Sequence, residues 1–151
     1  MATVRDILAE KGSHVLSIGE DASVLDAALL MNEHKIGGLP VLRDGKVVGM
    51  FTERDILQRI VAEQRDPAKT MVGKAMTKKI TTAGIETTID EARALMRNKR
   101  IRHLPILDEE GKPLGMVSIG DLNAYLMEDQ TKTVDALKDY LNGNSSASFV
   151  M

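Results

Sequence analysis

Apolar and polar positions follow two different periods along the chain, and the pair of periods occurs twice. Apolar residues at 24, 28 and 31, and again at 89, 92, 95 and 96, recur at helical spacing and predict two helices with one apolar face each. Ser23 and Thr88 stand just before them, with Asp26 and Glu91 three places on. In that pattern the hydroxyl accepts from a free amide of the first turn and the acid reaches back, so both helix starts are marked. Short apolar runs over 15–18 and 80–83 predict strands leading into these helices. The runs over 39–42 and 47–51 flank Asp44-Gly45, which predicts a tight hairpin. A looser hairpin is predicted around Asp108-Glu109-Glu110-Gly111. Closing helices are predicted over 55–63 and from Asp121 to about Glu128. A further helix is predicted after Asp129, with Val134, Leu137 and Leu141 at helical spacing and Asn142-Gly143 as its stop.

The two sets of elements are copies. An offset of 65 lays Val24-Leu25-Asp26-Ala27 on Ile89-Asp90-Glu91-Ala92, and Ile36, Leu39, Pro40 and Leu42 on Ile101, Leu104, Pro105 and Leu107. One extra residue in the second turn makes the offset 66, after which Gly49-Met50-Phe51-Thr52 meets Gly115-Met116-Val117-Ser118, and Asp55 meets Asp121. Solenoid repeats are roughly 20 to 50 residues long, so this longer period reads as a duplicated unit forming two lobes. A unit of ~60 residues is only marginally stable alone, which favours burial of each copy against the other.

Composition narrows the function. Lys+Arg 20 against Asp+Glu 22 gives a formal charge of -2, which offers no broad positive field to a phosphate backbone. With no Trp, two Tyr and two Phe, stacking platforms for single-stranded nucleic acid are hard to build. Zero cysteines exclude disulfides, thiolate metal sites and a thiol nucleophile. His14, His34 and His103 lack metal-ligand spacing, and no Walker loop, Rossmann glycine fingerprint or His-Glu-x-x-His is present. The expectation is a chain without catalytic activity and without a metal. No run of about 18 apolar residues and no secretory leader is seen, so the chain is expected in the cytoplasm and off the membrane.

Two stretches carry a family resemblance. Ile36-Gly37-Gly38-Leu39-Pro40-Val41 with Gly49-Met50-Phe51-Thr52-Glu53-Arg54-Asp55 is followed by Ile101-Arg102-His103-Leu104-Pro105-Ile106 with Gly115-Met116-Val117-Ser118-Ile119-Gly120-Asp121. Together with Met76-Thr77-Lys78-Lys79-Ile80, these resemble a tandem pair of cystathionine β-synthase-type (CBS) domains, a Bateman module. The resemblance implies an α+β fold of two β-α-β-β-α repeats packed with pseudo-two-fold symmetry. It places CBS domain 1 over 4–63, a linker over 64–71 and CBS domain 2 over 72–128; beyond it the residue pattern predicts a C-terminal helix over 129–142 and a flexible tail over 143–151. The resemblance also implies a regulatory module with clefts for adenosine-containing ligands, AMP first, with NAD or ATP as alternatives. Such a module would act through a protein effector that the sequence does not name, or through a change in assembly. A ligand-free interaction or dimerisation module is the other reading.

By motif match, Asp55 and Asp121 would accept hydrogen bonds from the ribose hydroxyls, charge-assisted bonds that a deoxy analogue lacks in part. Thr52 and Ser118 would reach a phosphate or ribose oxygen. Thr-x-x-Asp and Ser-x-x-Asp are equally helix caps that need no ligand. By the same resemblance the Asp55 cleft gathers Arg54, Arg102 and His103, which predicts a preference for the more anionic ligand there. Arg102 has a second reading as one charge of a solvated helix end, and His103 as a backbone partner. Val15 and Ile80 would line the adenine slot or serve as ordinary core. Homodimers are expected through helix faces carrying Ile56, Ile60 and Val61, Leu122, Tyr125 and Leu126, and the segment with Leu137.

Overall fold

The structure, a computed structural model, describes residues 1–12 and 15–142. The expectations for His14 and for the tail over 143–151 lie outside the described residues. The chain divides into two compact units, Met1–Val117 and Ser118–Met151. Helices and mainly antiparallel strands give the expected α+β class.

In the larger unit, α1 (Val4–Lys11) leads into β1 (Ile18–Gly19), α2 (Val24–His34), β2 (Gly38–Arg43) and β3 (Lys46–Thr52). These strands form one sheet in the order β1-β2-β3, parallel at the first pair and antiparallel at the second. Asp44 and Gly45 both take positive φ, 52° and 77°, the two-residue turn whose twist matches the flanking strands. The strand expected over 15–18 is reduced to Ile18–Gly19. Ile18 pairs with Val41, so the next rung toward the amino terminus falls on Pro40, which has no N–H to give. The second copy repeats this limit. Ala83 donates to the Pro105 carbonyl (3.0 Å) and accepts from Leu107 (2.9 Å), but only the single bridge Ala83–Ile106 forms where a strand over 80–83 was expected. There β4 (His103–Leu107) and β5 (Pro113–Ser118) make the looser hairpin, closed by Asp108 Oδ1 accepting from the Glu110 and Lys112 amides at 2.8 and 2.9 Å.

The helix starts form as the pattern requires. Ser23 Oγ accepts from the Asp26 amide at 3.0 Å, and Thr88 with Glu91 completes a reciprocal capping box ahead of α5 (Ile89–Lys99). The Thr88 amide and hydroxyl hold the Glu91 carboxyl below its ordinary value. Both α2 and α5 end on a left-handed residue, Lys35 and Arg100, and the next amides, Ile36 and Ile101, return to Met31 and Met96 at 3.0 Å. A non-glycine residue accepts that backbone because the returning hydrogen bond satisfies an orphan carbonyl. Under these helices Val24, Leu39, Val41 and Phe51 are fully buried, each side chain contributing about 1.5–3 kcal/mol.

The segments that precede each copy are exchanged. α4 (Val72–Ala75), which leads into the second copy, lies on the first: Val24 donates to Thr70 O and Val72 to Ala22 O, both 2.8 Å. α1, which precedes the first copy, lies on the second: Val4 donates to Thr87 O at 2.8 Å, Lys11 Nζ to Met116 O at 2.7 Å, and Arg5 pairs with Glu86. Val4 and Val72 are fully buried as a result.

The closing helices differ from expectation. In the first copy a short α3 (Glu53–Asp55) passes into a π-helical segment, Ile56–Val61. In the smaller unit a single helix, α6 (Ile119–Leu141), replaces the expected pair. No Gly or Pro interrupts it beyond Gly120, and Thr133 Oγ1 donates to the Asp129 carbonyl at 3.0 Å, so the residues at the expected break stay within the helix.

Candidate functional site

β3 ends at Thr52, whose extended backbone (φ −126°, ψ 168°) makes it the cap of α3. Its amide donates to Asp55 Oδ2 at 3.0 Å and its hydroxyl lies 3.3 Å from the same oxygen. The Asp55 amide returns to Thr52 Oγ1 at 3.4 Å. Among the described residues Asp55 is the buried charged side chain, 4% exposed, so its carboxylate depends on these partners. Two more come from beyond the motif. Thr77 Oγ1 donates to Asp55 Oδ1 at 2.9 Å, and Arg59 Nε lies 3.7 Å from the same oxygen, one helical turn on. Arg59 Nη1 also donates to the Met76 carbonyl at 2.8 Å.

Residues of both copies meet at the start of α3. The Glu53 amide donates to the Gly37 carbonyl at 3.0 Å. A methyl group on Gly37 would lie 3.1 Å from Glu53 Oε1 and 3.3 Å from the His103 ring, and one on Gly38 would lie 3.1 Å from Thr52 Cγ2 and 3.5 Å from His103 Nδ1. The two glycines thus leave the room in which the imidazole of the second copy sits beside Thr52 of the first. Arg54 and Arg102 are exposed and make no ion pair with the acids of the cluster. Val15 and Ile80 are half-buried, outside the strands expected for them.

In the smaller unit the matching motif caps α6. The Ser118 amide donates to Asp121 Oδ2 at 2.8 Å and the Asp121 amide to Ser118 Oγ at 3.0 Å. Asp121 is only partly buried. The capping role is thus formed in both copies.

A recess of about 220 Å³ lies elsewhere in the larger unit, lined by Glu20, Asp21, Arg43, Met71, Gly73, Lys74, Met76 and Lys78. Arg43 pairs with Glu20 there and holds its carboxyl below the ordinary value. Met76 and Lys78 of the run that opens the second copy line this recess, but none of the candidate binding residues named from the sequence does. Among the described residues no group of three or more His, Asp or Glu is placed to hold a metal ion. No helix among them is long and apolar enough to cross a membrane.

Thr77 and Arg59 are the residues that motif reading passes over. Arg59 had a local signal, a base four places after an acid on a helix. Thr77 stands in the run that carries the family resemblance, but nothing in its spacing points to Asp55, because its hydroxyl reaches Asp55 only through the exchange of α4 onto the first copy.

A duplicated strand-helix-hairpin-helix unit with a capped Asp in each copy defines a regulatory module. The chain belongs to the CBS domain family, whose profile matches residues 4–62 and 72–128. It is 34% identical over 150 residues to the mitochondrial CBS domain-containing protein CBSX3 of Arabidopsis thaliana, covering 93% of this chain and 72% of that one. The crystal structure of the CBS-domain containing protein ATU1752 from Agrobacterium tumefaciens superposes with a TM-score of 0.75 at 35% identity, over 82% of this chain and 98% of that one. The CBS domain pair of protein MJ0100, in complex with 5′-methylthioadenosine and S-adenosyl-L-methionine, superposes with a TM-score of 0.76 at 25% identity, over 85% and 98% of the two chains.

Proposed function

We propose that this chain is a sensor that binds an adenine nucleotide, AMP first and NAD or ATP as alternatives, and passes the signal to a partner protein or through its assembly. The observation that carries the reading is the meeting of Thr52 and Asp55 of the first copy with His103 of the second around the bare backbone of Gly37 and Gly38. That arrangement offers a carboxylate for ribose hydroxyls and an imidazole nearby. The adenosine ligands of the MJ0100 pair support the same ligand class. Exposed Arg54 and Arg102 are free to meet a phosphate, which favours the more anionic ligand at the Asp55 site, while Val15 and Ile80 are assigned to the adenine slot. Asp121 and Ser118 form the second site.

Calorimetric titration with AMP, ATP and NAD tests this directly. Asp121→Ala and Asp55→Asn should each remove charge-assisted bonds worth about 1.5–3 kcal/mol and weaken binding at their own site about tenfold or more. Heat of binding for none of the three nucleotides would reject the sensor reading. One observation favours the ligand-free interaction module in that event: Asp55 already has its hydrogen-bond partners within the protein.

A further inference from the structure

We propose that Thr77 and Arg59 form an internal latch on the first copy's ribose acceptor, setting the affinity of that site. The inference rests on the nucleotide reading above and extends it to residues outside the candidate binding set. A carboxylate offers about four lone-pair positions. At Asp55, Oδ2 is occupied by the Thr52 amide and hydroxyl, while Oδ1 holds the Thr77 hydroxyl at 2.9 Å and faces Arg59 Nε at 3.7 Å. A ribose diol needs two acceptor positions. The Thr52 bonds belong to the helix cap, so the positions a ribose takes are those now held by Thr77 and Arg59.

Displacing them has a consequence beyond the carboxylate. Thr77 is locked to β3 by a reciprocal backbone pair, Met50 N to Thr77 O at 2.9 Å and Thr77 N to Met50 O at 2.8 Å. Arg59 holds the Met76 carbonyl at 2.8 Å and stands 3.5 Å from that of Ala75. Ligand entry at Asp55 therefore loosens the segment that leads from the first copy into the second. The π-helical geometry over Ile56–Val61 carries Arg59 in this latch, and π turns are frequent at functional sites. The second copy carries other residue types at the matching places. Tyr125 stands four places after Asp121 where Arg59 stands after Asp55. Leu8 lies against Gly115 as Met76 lies against Gly49, so the counterpart of Thr77 is Ala9, which has no hydroxyl.

The test is calorimetric titration of the full chain with adenosine and 2′-deoxyadenosine in an Asp121→Asn background, which isolates the first copy's site. Thr77→Val should tighten adenosine about two- to tenfold, the range of one net hydrogen bond. The gain for 2′-deoxyadenosine should be smaller, since it presents one hydroxyl fewer to the freed oxygen. Arg59→Gln should act in the same direction, Arg59→Lys should lie between, and Thr77→Ser should match the background. Melting scans verify that each variant is folded. Unchanged or weaker adenosine binding in Thr77→Val would overturn the latch, as would an equal gain for both ligands, which would mean general loosening. Those results leave the nucleotide reading standing. No binding in the wild type or in any variant overturns both.

Discussion

At Asp121 a partly exposed carboxylate reaches back to the Ser118 amide, while at Asp55 a buried one answers to Thr52, Thr77 and Arg59 together. The same motif letter therefore carries different energetic weight. Removing Asp55 leaves the half-buried Thr52 and Thr77 donors without this partner, a loss of at most about 1–3 kcal/mol each, so Asp55→Ala should also destabilise the protein, contrary to a purely ligand-binding role. Arg54 and Arg102 are the opposite case, exposed and outside the carboxylate cluster. An Arg within ~4 Å of a phosphate gains about 4 kcal/mol of gross attraction at an effective dielectric of 20, of which desolvation leaves a part. Arg54→Ala and Arg102→Ala should each weaken AMP about tenfold and leave adenosine nearly unchanged in parallel titrations. Equal losses for both ligands would return these arginines to the solvated-charge reading.

Among the elements, the exchanged segments depend on two glycines at equivalent places. A Cβ on Gly49 would lie 2.7 Å from Met76 Sδ and 2.8 Å from the Thr77 carbonyl oxygen. The backbone oxygen cannot move without opening the Met50–Thr77 pair, so Gly49→Ala should cost about 1–3 kcal/mol. The three atoms nearest to a Cβ on Gly115 all belong to the Leu8 side chain, at 2.6 to 3.2 Å. Leu8 can change rotamer, so Gly115→Ala should cost about 1 kcal/mol or less. Urea denaturation of the two variants orders them, and a larger loss at Gly115 would contradict the close backbone approach as the cause. The hairpins and caps needed no such tertiary information. Asp44-Gly45 and the hydroxyl-acid pairs at Ser23 and Thr88 are local chemistry, which is why their positions agree with the pattern.

For the molecule as a whole, burial reassigns the faces expected to associate. Ile60 and Leu122 are core residues, 3% and 0% exposed, and Ile56 packs on the core of the larger unit. Leu57 and Val61, both 62% exposed, and Leu29 are among the apolar side chains that the larger unit leaves in solvent. In the smaller unit Val134, Leu137 and Leu141 do the same along α6. Covering such surface favours a two-fold pair, the commonest closed assembly. Light scattering at micromolar concentration should give about twice the 16.5 kDa chain mass, and Val61→Glu or Leu137→Glu should shift it toward monomer. A monodisperse monomer with and without nucleotide would remove the dimer from this account.

The sequence by itself determined what local chemistry and repetition can encode: two copies, their helix starts, the tight hairpin at Asp44-Gly45, the α+β class and the family. It could not determine the strand lengths at 15–18 and 80–83, because those depend on which rungs meet Pro40 and Pro105. Nor could it separate Asp55 from Asp121. Tertiary structure decided that difference, by exchanging α4 onto the first copy so that Thr77, 22 residues from Asp55 in sequence, completes its hydrogen bonds. A burial that depends on distant backbone leaves no trace in the spacing of a motif.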